Sequence, residues 1–432
     1  MRPPPLFASN SPEFTELYAP PNKKHPLLRH LPPRFPAANN QEPTTNNRPA
    51  PAGARLCASG SAVDTTLTRP LRSSPKPQSG VQSPAPMLTT DILSWKQLSR
   101  RKQKPVHLIL FITDHCNAKC GHCFYWQNLN QGESLKTDHI EKISRAMGEL
   151  VWLDISGGEP FLRKDIDQIC HRFLDYNQVK NINIPTNAIQ TDVIKKSVEG
   201  ILANTNAFRL NIALSIDGIG ENHDRVRGVP GNYKKALATM EALREVRTRD
   251  KRLSLSVVTT VMRSNIDDVK SLLHMGVDEW DLDYHSLNIL RGTPMDATLQ
   301  SPTPEQYAEI SKLQLQLCRR YFHGRWGGLG GWTATVGRFV LNRYYMQDLQ
   351  GKPKDTSCNA GDVSCVIDAN GDVYFCELLK PVGNLKTYDW DFDRLWHDLQ
   401  ATELRNKVQN GCHCTHECFQ TKNLIFTPWR LV

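Results

Sequence analysis

Long hydrophobic runs are missing from this chain. The longest, Leu108–Ile112, has strand length, far short of the ~18 residues that cross a bilayer, so a membrane-spanning helix is excluded. A strong field of one sign is missing too. The net charge is +9, but residues 1–86 hold ten Lys or Arg against four acids, so about +3 remains for the rest. That is too little to imply a nucleic-acid partner. Residues 1–86 also lack helical or strand periodicity. Crowded with Pro, Ser, Asn and Arg, they cannot bury enough apolar surface to fold. Their basic, acid-poor composition fits a transit peptide, but no amphipathic Arg-rich helix is present. The plainer expectation is that translation starts at Met87 and the upstream stretch is not made. No secretory signal precedes the cysteines. The twelve Cys fall in short-spaced groups, which points to metal ligands in a reducing, cytoplasmic compartment rather than to disulfides.

A regular strand–loop–helix rhythm begins near residue 105. Strands are expected at 107–113, 150–156, 180–184, 208–217, 253–261 and 279–286. Helices are expected at 138–149, opened by an Asp138/Glu141 capping box, and at 165–176, 190–203, 232–248 and 266–274. Six strands alternating with helices require a parallel sheet, and six units suit a partial barrel better than a closed eight-unit one. Along the fourth strand, Arg209, Asn211, Ala213, Ser215 and Asp217 alternate with apolar residues. Period two puts them on one face, the barrel interior. In the sixth, Asp281, Asp283 and His285 are expected to face the same interior, opposite Trp280, Leu282 and Tyr284. A polar interior needs a ligand or water to satisfy it.

Cys116, Cys120 and Cys123 fall inside eight residues, directly after the first strand, and Phe124, Tyr125 and Trp126 follow them. Three thiolates at this spacing can hold three irons of a four-iron cluster and leave the fourth open to a small molecule. The alternative is half of a zinc site. Gly157-Gly158-Glu159-Pro160 ends the second strand. Both segments therefore lie at the sheet end where parallel α/β folds place ligands.

The CxxxCxxC triplet and the GGEP motif together resemble the radical S-adenosylmethionine superfamily. The resemblance implies a partial (β/α)6 TIM-type barrel whose open iron chelates the amino and carboxylate groups of the cofactor's methionine. It implies reductive cleavage to a 5′-deoxyadenosyl radical, which abstracts hydrogen from a substrate. It assigns Gly157, Gly158, Glu159 and Pro160 to the methionine half, with Glu159 meeting its ammonium group. Thr186 and Asn187 fall near the ribose. Ser215-Ile216-Asp217-Gly218, followed by His223-Asp224-Arg225-Val226-Arg227-Gly228, is similar to a stretch of peptide-modifying members. Ser215 and Asp217 then belong to the cofactor site, and Arg227 either meets the methionine carboxylate or makes a surface ion pair. An electron donor such as flavodoxin or ferredoxin is implied as a partner.

A helix start follows at Thr303–Gln306, with Pro304 in the first turn and the helix running to about Tyr321, and Gly327–Gly331 reads as a glycine-rich turn. Six further cysteines come after it: Cys358, Cys365, Cys376, Cys412, Cys414 and Cys418. Residues 365–375 read as a hairpin turned at Asn370-Gly371. The Cys358, Gly371 and Cys376 spacing and Val382-Gly383-Asn384-Leu385 resemble the SPASM or shorter Twitch extension, which implies at least one auxiliary iron–sulfur cluster. Cys358, Cys365 and Cys376 with one tail cysteine would complete one four-ligand cluster, His413 or His416 supplementing the remainder. Two clusters of three cysteines each, or a structural zinc, are the competing readings. Cys57, Cys170 and Cys318 stand alone, the latter two as packed core thiols.

The expected organisation is thus an extension at 1–86, a radical barrel at 105–300, a helical linker at 301–350 and the auxiliary-cluster domain at 351–432. The expected substrate is a peptide or protein side chain. A small metabolite (sugar, nucleoside or lipid head group) is the second reading, because nothing before residue 105 folds as a peptide-recognition domain. A non-catalytic iron–sulfur or zinc scaffold is the third.

Overall fold

The computed structural model describes residues 104–352, 358–409, 412 and 414–426, with backbone only at 323–330, 399, 400, 407 and 409. The extension at 1–86, Met87, Cys57 and His413 lie outside them. Six strands, β1 (His107–Phe111), β2 (Trp152–Ser156), β3 (Asn181–Thr186), β4 (Arg209–Ser215), β5 (Leu253–Val261) and β6 (Tyr284–Ile289), pair in parallel in sequence order. The crossover helices are α1 (Thr137–Met147), α2 (Ile166–Asn177), α3 (Thr191–Leu202), α4 (Glu221–Arg227), α5 (Asn232–Arg249) and α6 (Ile266–Asp278). This is the expected partial (β/α)6 barrel.

Two local expectations change. Helix α1 begins at Thr137 with Lys136 before it and no side-chain cap. Glu141 instead accepts from Arg145 on its own helix, 2.8 Å from Nη2. Strand β6 begins five residues later than expected. Asp281, with φ at 46°, and Asp283 lie before it, and both carboxylates accept from Arg247, at 2.6 and 2.9 Å. His285 turns toward the helix layer. Its Nε2 lies 2.9 Å from Thr259 Oγ1, and Gly276 of α6 is packed beside its ring. The interior face of β6 is Tyr284, Ser286 and Asn288.

The interior floor is polar and largely satisfies itself. Ser364 Oγ lies 2.9 Å from His107 Nδ1, and His107 Nε2 lies 2.9 Å from Asp154 Oδ2. Asp154 is bonded to Asn183 in turn. Asn211 Nδ2 donates to Asn183 Oδ1 at 2.7 Å and to Ser256 Oγ at 2.9 Å. This chain crosses the sheet from side chain to side chain, so these polar groups satisfy one another.

A helical span, α7 (Pro304–Leu349), opens with the Thr303/Gln306 capping box and doubles back on itself. The Tyr307 and Tyr345 rings are 6.3 Å apart, whereas a straight helix would separate them by roughly 57 Å. Asn342 likewise donates to Gln314 Oε1 at 3.2 Å. Both contacts show that the span folds back between its ends, whereas residues 327–331, expected as a turn, belong to the helix. In the second arm, a methyl group on Gly337 would make ordinary contact with Leu424, at 3.5 Å. Gly337→Ala is therefore expected to stabilise the protein by about 0.5–1 kcal/mol, read as a higher urea midpoint. An unchanged or lower midpoint would contradict a helical backbone there.

The auxiliary region continues the barrel sheet. Strand β7 (Ser364–Ile367) pairs in parallel with the free edge of β1, and β8 (Asp372–Tyr374) and β9 (Gly383–Asn384) follow antiparallel. The β7–β8 hairpin turns at Gly371, φ 89°. Helices α8 (Phe392–Trp396), α9 (Leu399–Gln409) and α10 (Glu417–Phe426) complete the chain as described. One apolar core runs from Leu108 through Phe173 and Phe375 to Trp396 and Phe419, so barrel and auxiliary region bury a common interior. Among the described residues, no helix is long and apolar enough to cross a membrane.

Candidate active site

The loop after β1 carries Cys116, Cys120 and Cys123, and three strand ends grip it. From the end of β2, Gly158 N donates to Thr113 O at 2.9 Å and Glu159 N to His115 O at 2.7 Å. A side chain on Gly157, whose φ is 140°, or on Gly158 would overlap the carbonyls of Thr113 and His115. The two glycines thus admit the cysteine loop itself. Beyond β3, Asn187 Nδ2 donates to Asn117 Oδ1 at 2.7 Å. Beyond β4, the end of α4 accepts from the loop: Lys119 N to Arg227 O at 3.1 Å and Gly121 N to Val226 O at 3.0 Å.

The three thiols are electrostatic neighbours, each partly exposed. Burial and then their mutual repulsion push Cys123 up to about 12; burial pushes Cys116 up to about 11 and raises Cys120 as well. Three thiolates that cost this much to form are relieved by a cationic cluster in place of their protons. Arg227 is buried beside them and is no surface ion pair. Its Nη1 donates to Asp217 Oδ2 at 3.1 Å. Burial opposes its charge, but Cys120, Asp217, Cys116 and Glu159 together hold its pKa above the usual value. For Asp217, burial is likewise outweighed, by His122 and Arg227, and the carboxyl sits below its ordinary range.

Glu159 is buried and accepts three hydrogen bonds. Its carboxylate accepts from Phe161 N at 3.2 Å, capping the short 3-10 turn Pro160–Leu162, from Thr186 Oγ1 at 2.9 Å and from Asn187 N at 2.7 Å. It ties the ends of β2 and β3 together, and burial raises its pKa. Ser215 stands partly exposed at the end of β4. His122, inside the cysteine triplet, belongs to no sequence motif beyond its position between Cys120 and Cys123. Burial lowers its pKa to about 4, and its Nδ1 is buried without a hydrogen-bond partner. Arg227 Nε, Asn288 Oδ1 and Arg291 Nε are orphaned in the same way. These unmet groups gather at the strand ends around the cysteine loop, not on the floor.

The auxiliary cysteines divide. Cys376 lies beside Cys414 and Cys412, and its thiol is raised chiefly by burial. Cys414 Sγ accepts from Gln420 Nε2 at 3.6 Å. Cys358 Sγ accepts from Ala360 N at 3.4 Å, and the next residue, Asn359, donates to Asn423 on the same helix α10 at 2.8 Å. Cys418 shares Glu377 and Arg291 as electrostatic neighbours with Cys376. Cys365 is not brought to this group. It sits in β7 opposite Leu108, and burial alone raises its pKa. His416 is fully buried, with Nδ1 unpartnered. Among the described residues no three Cys, His, Asp or Glu side chains close round one ion, the triplet of Cys116, Cys120 and Cys123 included. Cys170 and Cys318 are buried in the core.

Sequence comparison agrees with this geometry. Residues 110–276 match the Radical SAM superfamily and residues 358–419 the SPASM iron–sulfur cluster-binding domain. Mycofactocin maturase MftC of Mycolicibacterium smegmatis is 26% identical over 357 residues, covering 74% of this chain and 78% of that protein. The AdoMet-dependent heme synthase of Methanosarcina barkeri is 28% identical over 313 residues, covering 67% and 81%. The crystal structure of Streptococcus suis SuiB bound to precursor peptide SuiA shares the fold, with a TM-score of 0.51 and 18% identity over 75% of this chain and 76% of that one. A [4Fe–4S] cluster and S-adenosylmethionine accompany the first domain, and auxiliary iron–sulfur clusters the second. The chain therefore belongs to the Radical SAM superfamily, as an enzyme whose partial barrel carries a SPASM domain.

Proposed function

We propose that this enzyme modifies a peptide or protein side chain, with Cys116, Cys120 and Cys123 holding the catalytic cluster. When bound, cluster and S-adenosylmethionine supply the radical that abstracts hydrogen from the substrate. The chain's own residues position and shield. The observation carrying the reading is the ring of unmet polar atoms at the strand ends, on His122, Arg227, Asn288 and Arg291, over a floor whose side chains already satisfy one another. Arg227 stays charged and buried, and is placed to meet a carboxylate near Cys116 and Cys120. Thr186, Asn187 and Ser215 offer hydroxyl and amide groups at neighbouring strand ends, where a ribose would be held. Glu159 fixes the β2–β3 end and keeps acceptor capacity on Oε2, which takes one hydrogen bond, for the cofactor's ammonium group.

Cys376, Cys412, Cys414 and Cys358, with Cys418 nearby, would hold the auxiliary cluster. A donor such as flavodoxin or ferredoxin would deliver the electron. The SPASM domain, the stretch from Ser215 to Gly228 and a relative named as a maturase favour the peptide. The similar heme synthase supports the second reading, a small metabolite. Anaerobically reconstituted protein given dithionite and S-adenosylmethionine is expected to release 5′-deoxyadenosine, and Cys120→Ala to release none. Equal release from the variant would remove the mechanism. Deuterium transfer from a labelled substrate to 5′-deoxyadenosine then separates peptide from metabolite.

A further inference from the structure

We propose that Arg291 and Glu377 form a charge pair that sets the reduction potential of the auxiliary cluster and ties that cluster to the catalytic loop. Arg291 lies just past β6, at the catalytic end of the barrel. Its Nη2 donates to Glu377 Oε1 at 2.7 Å, and its guanidinium lies 5.0 Å over the ring of Phe124. Phe124 directly follows Cys123, and Glu377 directly follows Cys376. One side chain therefore touches the residue after a ligand of each cluster, taking Cys376 as an auxiliary ligand as proposed above. The packing is close. A methyl group on Gly292 would press on Phe124 Cβ at 2.9 Å and reach Leu378 at 3.6 Å.

The pair is built for electrostatics rather than for surface anchoring. The Arg291 and Glu377 side chains are 14% and 7% exposed, so salt and water screen them little. His416 Nε2 adds a third neighbour, 2.8 Å from the same Glu377 oxygen. Arg291 Nε–H, buried and unpartnered, is a donor free for a sulfide or thiolate. Cluster potentials follow net charge, hydrogen bonds to sulfur and exposure. A cation beside the cluster favours its more negative, reduced state, and a carboxylate opposes it. Intact, the two nearly cancel. Removing either one exposes the other's effect.

Opposite signs make the test decisive. The full chain, reconstituted anaerobically, is titrated with dithionite while the two clusters are followed by electron paramagnetic resonance. Arg291→Gln is expected to lower the auxiliary midpoint and Glu377→Gln to raise it. The double variant should return near wild type, and the catalytic cluster should shift less in each. Because a single substitution strands a buried charge, the double variant and a melting curve accompany it. An ion pair serving stability alone would lower both single variants' melting temperatures and leave the potentials unmoved. That result, shifts of the same sign in both variants, or wild type holding one cluster only would overturn the proposal.

Discussion

Gly158→Ala is expected to abolish loading of the catalytic cluster while leaving the auxiliary one in place. The new methyl would overlap His115 O and come within 2.8 Å of Asp114 O. Both are main-chain atoms of the loop that presents Cys116, so no side-chain rotation relieves the clash. Either the β2 end or the cysteine loop must move. The Gly158–Thr113 and Glu159–His115 hydrogen bonds, at 2.9 and 2.7 Å, break in either case. Reconstituted variant should carry about four irons fewer per chain, the content of one [4Fe–4S] cluster. Release of 5′-deoxyadenosine should fall by about 100-fold or more, the scale of an ångström misplacement at a reacting centre. Full iron content would show that the glycine is dispensable for the loop.

Arg227→Met is expected to cost about 3–5 kcal/mol of stability, as removal of one partner from a buried ion pair does. Asp217, 1% exposed, would keep Thr260 N at 2.7 Å but lose its buried cation. Arg227→Met with Asp217→Asn should recover much of the loss, because no charge is then stranded. Urea denaturation of the three proteins reads the difference. A loss below about 1 kcal/mol, the worth of an exposed pair, would mean that water reaches the site. Affinity for S-adenosylmethionine should fall in both variants, since each lacks the cation beside Cys116 and Cys120.

Legibility from sequence followed how local each signal was. The first five strands stand where alternation and turn residues put them, within a few positions, because hydrophobic period is a property of the segment itself. The sixth failed for the same reason. Trp280, Asp281, Leu282 and Asp283 alternate like a strand, but Arg247 on α5 claims both carboxylates, and nothing near residue 281 announces that partner. The resemblance assigns the glycines of GGEP to the cofactor, and only the fold shows that they also admit the carbonyls of Thr113 and His115. Counting cysteines puts Cys365 in a four-ligand set, yet the parity of β7 turns it into the core and leaves Ser364 facing His107. The polar face of β4 was legible, but its satisfaction by Asn183 and Ser256 on neighbouring strands was not. Arg291 and Glu377 carry no motif at all, since their pairing exists only once β6 and the auxiliary region meet.

The β1–β7 pairing has a cost in time. Ser364 is separated from its partner His107 by 257 residues. On a ribosome adding about 5–20 residues per second, β1 waits roughly 13–50 s for the strand that covers it. Through that interval the edge of β1 offers unpaired N–H and C=O groups to any neighbouring strand. The barrel cannot finish folding as it emerges, and the auxiliary region acts as the last stave of the sheet. A cell making this enzyme must therefore guard a half-built edge for most of its synthesis, and chaperone occupancy of nascent chains should peak between completion of β1 and the arrival of β7.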